Sequence, residues 1–153
     1  MVRGKYLEGK EHLAQIAALR KEVFGEEPGH ALLAELDEID TYAVQAVAYD
    51  EKDEVVGTGR ITFDGDRFEI SHIVVKKESR GQGYGDFVMK MLINKAALAN
   101  ASAIYASVLP EAKGFYEKCG FVSEGTTSEP CGVACEDMVL TGAKMHSCCG
   151  CAQ

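Results

Sequence analysis

A run of alternating glycines, RGQGYG at 80–85, stands between an apolar segment that ends at Val75 and an amphipathic segment that follows Gly85. Where such a run joins a strand to a helix, the first backbone amides of the helix are unpaired and the helix dipole favours an anion. Glycines permit positive φ angles and let phosphate oxygens approach the backbone without a Cβ in the way. The run therefore predicts a phosphate-binding loop.

Two well-known phosphate loops do not fit this spacing. The nucleotide P-loop carries Lys-Ser or Lys-Thr after its last glycine, whereas here Asp86 and Phe87 follow. The dinucleotide fingerprint has glycines at its first, third and sixth places, which counted from Gly81 would require glycine in place of Asp86. The loop is therefore predicted to hold the phosphates of another ligand.

A second cluster of reactive side chains lies in the last stretch of the sequence, HSCCGCAQ. Its members are His146, Cys148, Cys149 and Cys151. Such thiolates suit soft metals, although their spacing differs from that of the paired CxxC motifs of zinc knuckles. The alternative is an oxidisable tail that binds no metal. The segment shows no hydrophobic period, so we expect a folded domain at 1–142 and a cysteine-rich tail at 143–153.

Hydrophobic periodicity predicts the elements that position the glycine loop. Residues 11–24 space apolar side chains by three and four, which predicts an amphipathic helix, and ALLAELDEID from Ala31 predicts a second short helix. Strands are predicted at 42–49, 55–63 and 68–75, joined by polar turns into an antiparallel meander. The glycine loop then leads into a helix that stops near Asn100.

The remaining segments complete a mixed sheet. A strand at 103–109 precedes a short helix from Pro110 to Lys118, and FVSEG and CEDMVLT supply two final strands. A strand, a crossover helix and the next strand make one parallel pair within the sheet. The predicted class is α/β (α+β), with helices on both faces.

Two motifs together carry a resemblance to a known family. Arg80, Gly83 and Gly85 after ISHIVV resemble the signature of the GNAT family of N-acetyltransferases: Gln or Arg, two residues, Gly, one residue, then Gly or Ala. GFYEKCGF looks like the family's later pattern of Phe-Tyr, three residues and Gly-Phe. The order of elements also agrees from Glu11 to Leu140, so the chain resembles small single-domain bacterial members.

The resemblance implies a mostly antiparallel sheet in which a splayed pair of strands forms a cleft for acetyl-CoA, the acetyl donor. The glycine loop would hold the pyrophosphate, and the pantetheine arm would pair with the end of the preceding strand. The cofactor-binding residues would be Ile73, Val74, Val75, Arg80, Gly81, Gln82, Gly83, Tyr84, Gly85 and Asp86. A primary amine would attack the thioester directly in a ternary complex, and no metal is expected in this site.

Two side chains are predicted to move protons in that reaction. In the resemblance, Tyr116 donates a proton to the leaving thiolate; its alternative is a tyrosine packed under the helix. Glu69 is the candidate base for the amine, with a water chain or a solvated surface carboxylate as alternatives.

Strict alternation along the strand before the loop assigns its side chains to two faces. One face is predicted to carry Glu69, Ser71, Ile73 and Val75. The opposite face is predicted to carry Ile70, His72 and Val74. His72 is therefore expected as a packed or surface histidine, away from Glu69.

Two positions depart from the family pattern. Many members have Asn or Gln near the end of the strand where only Ser107 is polar here, and related small members often have His where this chain has Cys135. The resemblance therefore leaves the acceptor open.

Charge and composition limit the partners. The 153 residues have a net charge of −8 and are 46% hydrophobic, which suits one domain and argues against a nucleic-acid partner. Acidic residues concentrate between Glu22 and Glu54, where they would attract a cation, unless they are solvated surface charge. Neither a membrane-spanning run nor a signal peptide is recognisable, so we expect a cytoplasmic protein without a membrane partner.

The residues and the resemblance predict an N-acetyltransferase that uses acetyl-CoA and a small, cationic primary amine. The alternative is a non-catalytic protein that senses CoA or a metal with this scaffold and the cysteine tail. Tyr116 favours the enzyme, because a sensor has no need for a proton donor beside the sulfur. Association of two copies as a homodimer stays open.

Overall fold

The computed structural model describes residues 3–8, 13–25, 36–65, 67–130 and 132–142. The strands are β1 (Arg3–Glu8), β2 (Val44–Tyr49), β3 (Val55–Asp64), β4 (Arg67–Val75), β5 (Ala103–Val108), β6 (Val122–Ser128) and β7 (Cys135–Thr141). The helices are α1 (Leu13–Phe24), α2 (Tyr84–Leu98) and α3 (Lys113–Lys118). Short 3₁₀ turns lie at Glu38–Thr41, Lys77–Ser79 and Pro110–Ala112.

The strands form one sheet in the order β1-β2-β3-β4-β5-β7-β6. Strands β4 and β5 are parallel, and the other neighbouring pairs are antiparallel. Along these two fully described strands, β4 and β5 pair at Phe68–Ile104 and Glu69–Tyr105 and then separate. The sheet is therefore split at the carboxyl ends of its two middle strands, as the predicted splayed pair requires.

Helices cover both faces of the sheet. The main core, between α2 and the sheet, includes Ile70, Val88, Leu92 and Ile104. A smaller core under α1 contains Leu19, Val23, Phe24 and Val74. The predicted α/β (α+β) class, with a mixed and mostly antiparallel sheet between helices, is confirmed.

Two expectations about the first third of the chain differ from the structure. Strand β1 was not predicted, because RGKYLE lacks an apolar alternation: Arg3, Gly4 and Lys5 are exposed, and Leu7 is buried. The helix predicted from Ala31 is wrong over 36–40: residues 36 and 37 are irregular, and the 3₁₀ turn Glu38–Thr41 follows them. Asp37 caps that turn, since its side chain accepts a hydrogen bond from the amide of Asp40.

A buried ion pair fastens this turn to α1. Both Arg20 and Asp40 are fully buried, and the two guanidinium Nη atoms each donate to a carboxylate oxygen at 2.9 Å. Gln45 Nε2 also donates to Asp40 at 2.9 Å. Burial raises the pKa of Asp40, but the hydrogen bonds from Arg20 and the Asp37 backbone and the nearby charges of Arg20 and Arg60 outweigh it. The pKa of Asp40 is therefore held well below its ordinary value.

Some sequence expectations fall outside the described residues. The cysteine-rich tail at 143–153, with His146 and its three cysteines, is among them, and so is Cys131. In the described part of the chain, no helix has both the length and the apolar character needed to cross a membrane.

Candidate active site

The glycine loop joins β4 to α2 in the predicted way. Gly81 and Gly83 have φ angles of 79° and 88°, in the left-handed region that disfavours side chains. A Cβ on either glycine would meet nothing within 4 Å, so the backbone conformation, and not lack of space, requires glycine here. Gly83 is the N-cap of α2, and the first bond of the helix runs from the Phe87 amide to its carbonyl. The amides of the first turn precede that bond and are available to an anion.

A cavity of about 590 Å³, here called the loop cavity, lies against this loop. It extends from the glycine loop along the end of β4 to the start of α3. Nine of the ten predicted cofactor-binding residues line it: Ile73, Val74, Val75, Arg80, Gly81, Gly83, Tyr84, Gly85 and Asp86. Gln82, the tenth, is exposed and is not among the lining residues.

One hydrogen bond and one close approach fix the position of the glycine loop relative to β4. Arg80 Nε donates a hydrogen bond to the Val75 carbonyl at 3.2 Å. A Cβ on Gly85 would lie 3.4 Å from the Val75 side chain and 3.5 Å from the Phe115 ring. Gly85 therefore allows the first turn of α2 to approach both β4 and α3.

A second cavity of about 200 Å³, the inner cavity, lies where β4 and β5 separate. Its polar and ionisable lining consists of Asp37, Arg60, Thr62, Glu69, Ser71, His72, Ser107, Tyr116 and Cys135. The two cavities share Phe24, Ile73, Leu109 and Ala112 in their walls. A ligand in the loop cavity can thus meet a second ligand in the inner cavity at this shared wall.

The structure brings the two predicted proton-transfer residues to the same cavity. Glu69 reaches it from β4 and Tyr116 from α3. The ring of Tyr116 is 5% exposed and packs edge-on against Phe115 and Phe121, with centroid distances of 5.7 and 5.2 Å. Burial, followed by the neighbouring Cys119 and Cys135, raises the pKa of Tyr116 above its ordinary value, so the phenol keeps its proton at neutral pH.

A β-bulge in β4 overturns part of the predicted face assignment. Thr58 pairs with Val74 and Arg60 with Ser71, so Gly59 alone opposes two residues, His72 and Ile73. His72 takes a left-handed φ of 57°. The extra residue resets the alternation that strict periodicity assumes.

The resulting faces differ from the prediction in two ways. Glu69 and Ser71 do share the inner cavity, but Ile73 and Val75 pack against the main core, and Ile73 also reaches the wall between the two cavities. His72, expected on the opposite face with Ile70 and Val74, lines the inner cavity beside Glu69. The glycine in GTGR was the available signal, since a strand glycine often marks a bulge. A Cβ on Gly59 would lie 3.0 Å from Ile73, Leu92 and Val88.

A chain of polar contacts, missed by sequence reasoning, runs from the buried ion pair to the inner cavity. Arg60 donates to Asp37 at 2.7 and 3.2 Å, and its Nη1 lies 3.1 Å from Asp40. Arg60 Nε donates to Ser71 Oγ at 2.9 Å, and Ser71 Oγ lies 3.0 Å from His72 Nδ1. Burial and the charges of Arg60 and Arg20 lower the pKa of His72 to about 3, so its ring is neutral at pH 7.

Ser107 and Cys135, the two positions that depart from the family pattern, both line the inner cavity. Ser107 lies 3.2 Å from Ser128 Oγ, which donates to Asp137 at 2.8 Å. Cys135 is a buried thiol at the start of β7. Among the described residues, no group of three or more His, Cys, Asp or Glu side chains is arranged to hold a metal ion.

Sequence comparisons identify relatives over most of the chain. Residues 14–141 match the family described as Acetyltransferase (GNAT) domain. A Bacillus subtilis protein named as an acetyltransferase is 30% identical over 120 residues, which cover 76% of this chain and 81% of that protein. Glucosamine 6-phosphate N-acetyltransferase 1 of rice is 34% identical over 55 residues, 36% of this chain and 33% of that enzyme.

Solved structures share the fold. A Lactobacillus plantarum protein described as an N-acetyltransferase superposes with a TM-score of 0.76 at 23% identity, covering 92% of this chain and 97% of that one. Escherichia coli ElaA superposes with a TM-score of 0.77 at 20% identity, covering 92% and 99%. With the domain match across 14–141, these findings show that the chain belongs to the GNAT family and is an N-acetyltransferase.

Proposed function

We propose that this enzyme transfers the acetyl group of acetyl-CoA to a primary amine of a small, cationic acceptor, by direct attack in a ternary complex. The observation that carries the proposal is the meeting of two cavities at the splayed strands. One cavity has a phosphate-binding loop, and the other holds a carboxylate and a protonated phenol. Donor and acceptor can therefore be bound at the same time, with their reacting groups near the shared wall.

The loop cavity fits the donor. Left-handed Gly81 and Gly83 and the first turn of α2 present amides to the pyrophosphate, and Arg80, which lines the cavity, adds positive charge. Because β5 leaves β4 after Glu69, the edge of β4 beyond that point can pair with the pantetheine amides. We assign the donor to the ten predicted residues, with Gln82 as an exposed member.

In this proposal the inner cavity supplies both proton transfers. Glu69 takes a proton from the acceptor amine, whose nitrogen then attacks the thioester carbonyl carbon. A backbone amide near the end of β4 donates to the carbonyl oxygen as it gains charge, worth about 3 kcal/mol for one such donor. When the carbon–sulfur bond breaks, Tyr116 gives its proton to the departing sulfur, and the proton that the new amide nitrogen releases restores the phenol.

Charges around the inner cavity favour a cationic acceptor. Asp37 and Glu69 contribute two carboxylates. Arg60 is the cation in this lining, and it is already engaged with Asp37 and Asp40. His72 is neutral at pH 7, since its pKa is about 3. The excess of negative charge would attract an ammonium group.

The family match, which ends at residue 141, supports a catalytic domain at 1–142. Strand β7 also ends at Thr141. We propose that the cysteine-rich segment 143–153 is an appendage to this domain and takes no part in acetyl transfer.

The proposed function is tested by measuring thiol release from acetyl-CoA with a panel of diamines, polyamines, amino sugars and lysine-like amines. We expect release with one or more cationic amines and formation of the matching N-acetyl product by mass spectrometry. A protein that binds CoA tightly and acetylates none of these amines would contradict the proposal and support a non-catalytic CoA sensor.

The Gly83→Asp variant is expected to lower CoA affinity at least about tenfold, or about 1.4 kcal/mol, in calorimetric titration. The new carboxylate stands at the N-cap of α2, where the phosphates should lie. Gly65→Asp is the matched control, because Gly65 also has a positive φ, 67°, and an open surrounding, but lies in the β3–β4 turn. Equal affinities in the two variants would refute the loop assignment.

The Glu69→Gln variant is expected to lose about tenfold in turnover at pH 7, since a base that water partly replaces contributes at the low end of acid–base catalysis. The deficit should shrink towards pH 10, where amines with a pKa near 10.4 lose their proton in solution. Glu117→Gln on the exposed side of α3 is the control. A deficit that is the same at every pH would exclude Glu69 as the base.

A further inference from the structure

His72 is a member of the inner cavity that the proposed reaction does not use. The bulge turns it away from the main core, and its φ of 57° lies in the left-handed region, which histidine, asparagine and aspartate adopt more often than other residues that carry a side chain. One ring nitrogen, Nδ1, lies 3.0 Å from Ser71 Oγ. The other, Nε2, is buried and has no hydrogen-bond partner in the part of the chain that the structure describes.

The direction of the hydrogen bonds around Ser71 defines the proton on this ring. Arg60 is a guanidinium and can only donate, so Ser71 Oγ accepts from its Nε at 2.9 Å. Ser71 Oγ has a second lone pair, but a ring that donated to it from Nδ1 would leave the Ser71 proton without an acceptor among the described residues. The Ser71 hydroxyl is therefore assigned as the donor to His72 Nδ1. A neutral ring that accepts at Nδ1 carries its proton on Nε2. The buried nitrogen is therefore an N–H donor.

A buried donor without a partner is unfavourable, and it becomes favourable when a ligand supplies an acceptor atom. We propose that His72 Nε2–H donates to a hydroxyl or carbonyl oxygen of the acceptor, so that the enzyme selects primary amines carrying such an oxygen close to the nitrogen. This inference rests on the proposed function, because it requires the acceptor to occupy the inner cavity. His72 is then a specificity-determining residue, distinct from the proton-transfer pair.

The test compares two diamines that differ by one hydroxyl group, 1,3-diamino-2-propanol and 1,3-diaminopropane. Wild-type kcat/KM should favour the hydroxylated diamine by about tenfold, the effect of one neutral hydrogen bond. His72→Asn keeps an amide beside Ser71 and tolerates the left-handed φ, but deletes the outer half of the ring. In this variant the preference should disappear, because only the hydroxylated diamine loses rate.

His72→Gln is the second variant, because the amide nitrogen of glutamine reaches about as far as Nε2 of histidine. This variant should retain part of the preference for the hydroxylated diamine. If His72→Asn lowered kcat/KM equally for both diamines, the inference would be overturned, and the imidazole would act on the thioester or have a purely structural role. Nitrogen-15 NMR of the wild-type ring gives an independent check, and a proton found on Nδ1 would also overturn it. Failure of the proposed function looks different, because then the wild-type protein acetylates no amine at all.

Discussion

Replacing Tyr116 by Phe is expected to lower turnover about 10²-fold while CoA affinity stays within about twofold of the wild type. The substitution keeps the ring, whose edge-on packing against Phe115 and Phe121 should survive, and removes only the hydroxyl. The sulfur must then leave without its proton donor. Turnover should be measured with saturating acetyl-CoA and amine, and affinity by calorimetry.

Tyr49→Phe provides the control, because it removes a tyrosine hydroxyl on β2 at a residue that lines neither cavity. The pH profile adds a second check. Since the pKa of Tyr116 is raised, wild-type turnover should not fall as pH rises to about 10, where an ordinary tyrosine ionises. Full turnover of Tyr116→Phe under chemistry-limited conditions would mean that water or another group protonates the thiolate.

Asp40→Asn is expected to lower the free energy of unfolding by about 3–5 kcal/mol. The change leaves Arg20 fully buried without its counter-charge, and a lone buried charge is far more costly than an intact pair. Urea denaturation followed by circular dichroism measures the loss. A loss as small as that of Asp53→Asn, which removes an exposed ion pair with Arg3 worth less than about 1 kcal/mol, would show that the buried pair contributes little.

The same pair gives a pH dependence with a defined sign. The pKa of Asp40 is lower in the folded protein than its ordinary value near 3.9, so its ionised form is favoured by folding. Its contribution is present above pH about 4 and is lost as the pH falls further. The unfolding free energy of the wild type should therefore decline more steeply below pH 4 than that of Asp40→Asn.

Much of the fold follows from local patterns. The strand predicted from CEDMVLT is β7 at its exact bounds, and the glycine loop begins α2 where the unpaired amides were expected. In both segments the structure that the local sequence pattern favours is also the one that the packing of the folded protein needs. The pairing of β4 with β5 also follows, because a single crossover helix makes neighbouring strands parallel.

Long-range electrostatics and one inserted residue explain what the sequence did not reveal. The acidic stretch around Asp37 and Asp40 looks like a solvated helix face, yet both carboxylates are partners of arginines 20 and 23 positions away. Local periodicity contains no information about such partners. The bulge at His72 similarly shifts the alternation by one residue, so half of the strand was assigned to the wrong face.

The strand order has a consequence for synthesis on the ribosome. Strand β7 is the last of the described strands to be made, yet it lies between β5 and β6. A nascent chain that has emerged only as far as β6 therefore exposes the open edge of β5, and β6 has no strand beside which to pair. Until Cys135–Thr141 is complete, these edges invite intermolecular pairing. The part of the inner-cavity wall that Cys135 supplies and the protection of these edges from aggregation thus come in one late step.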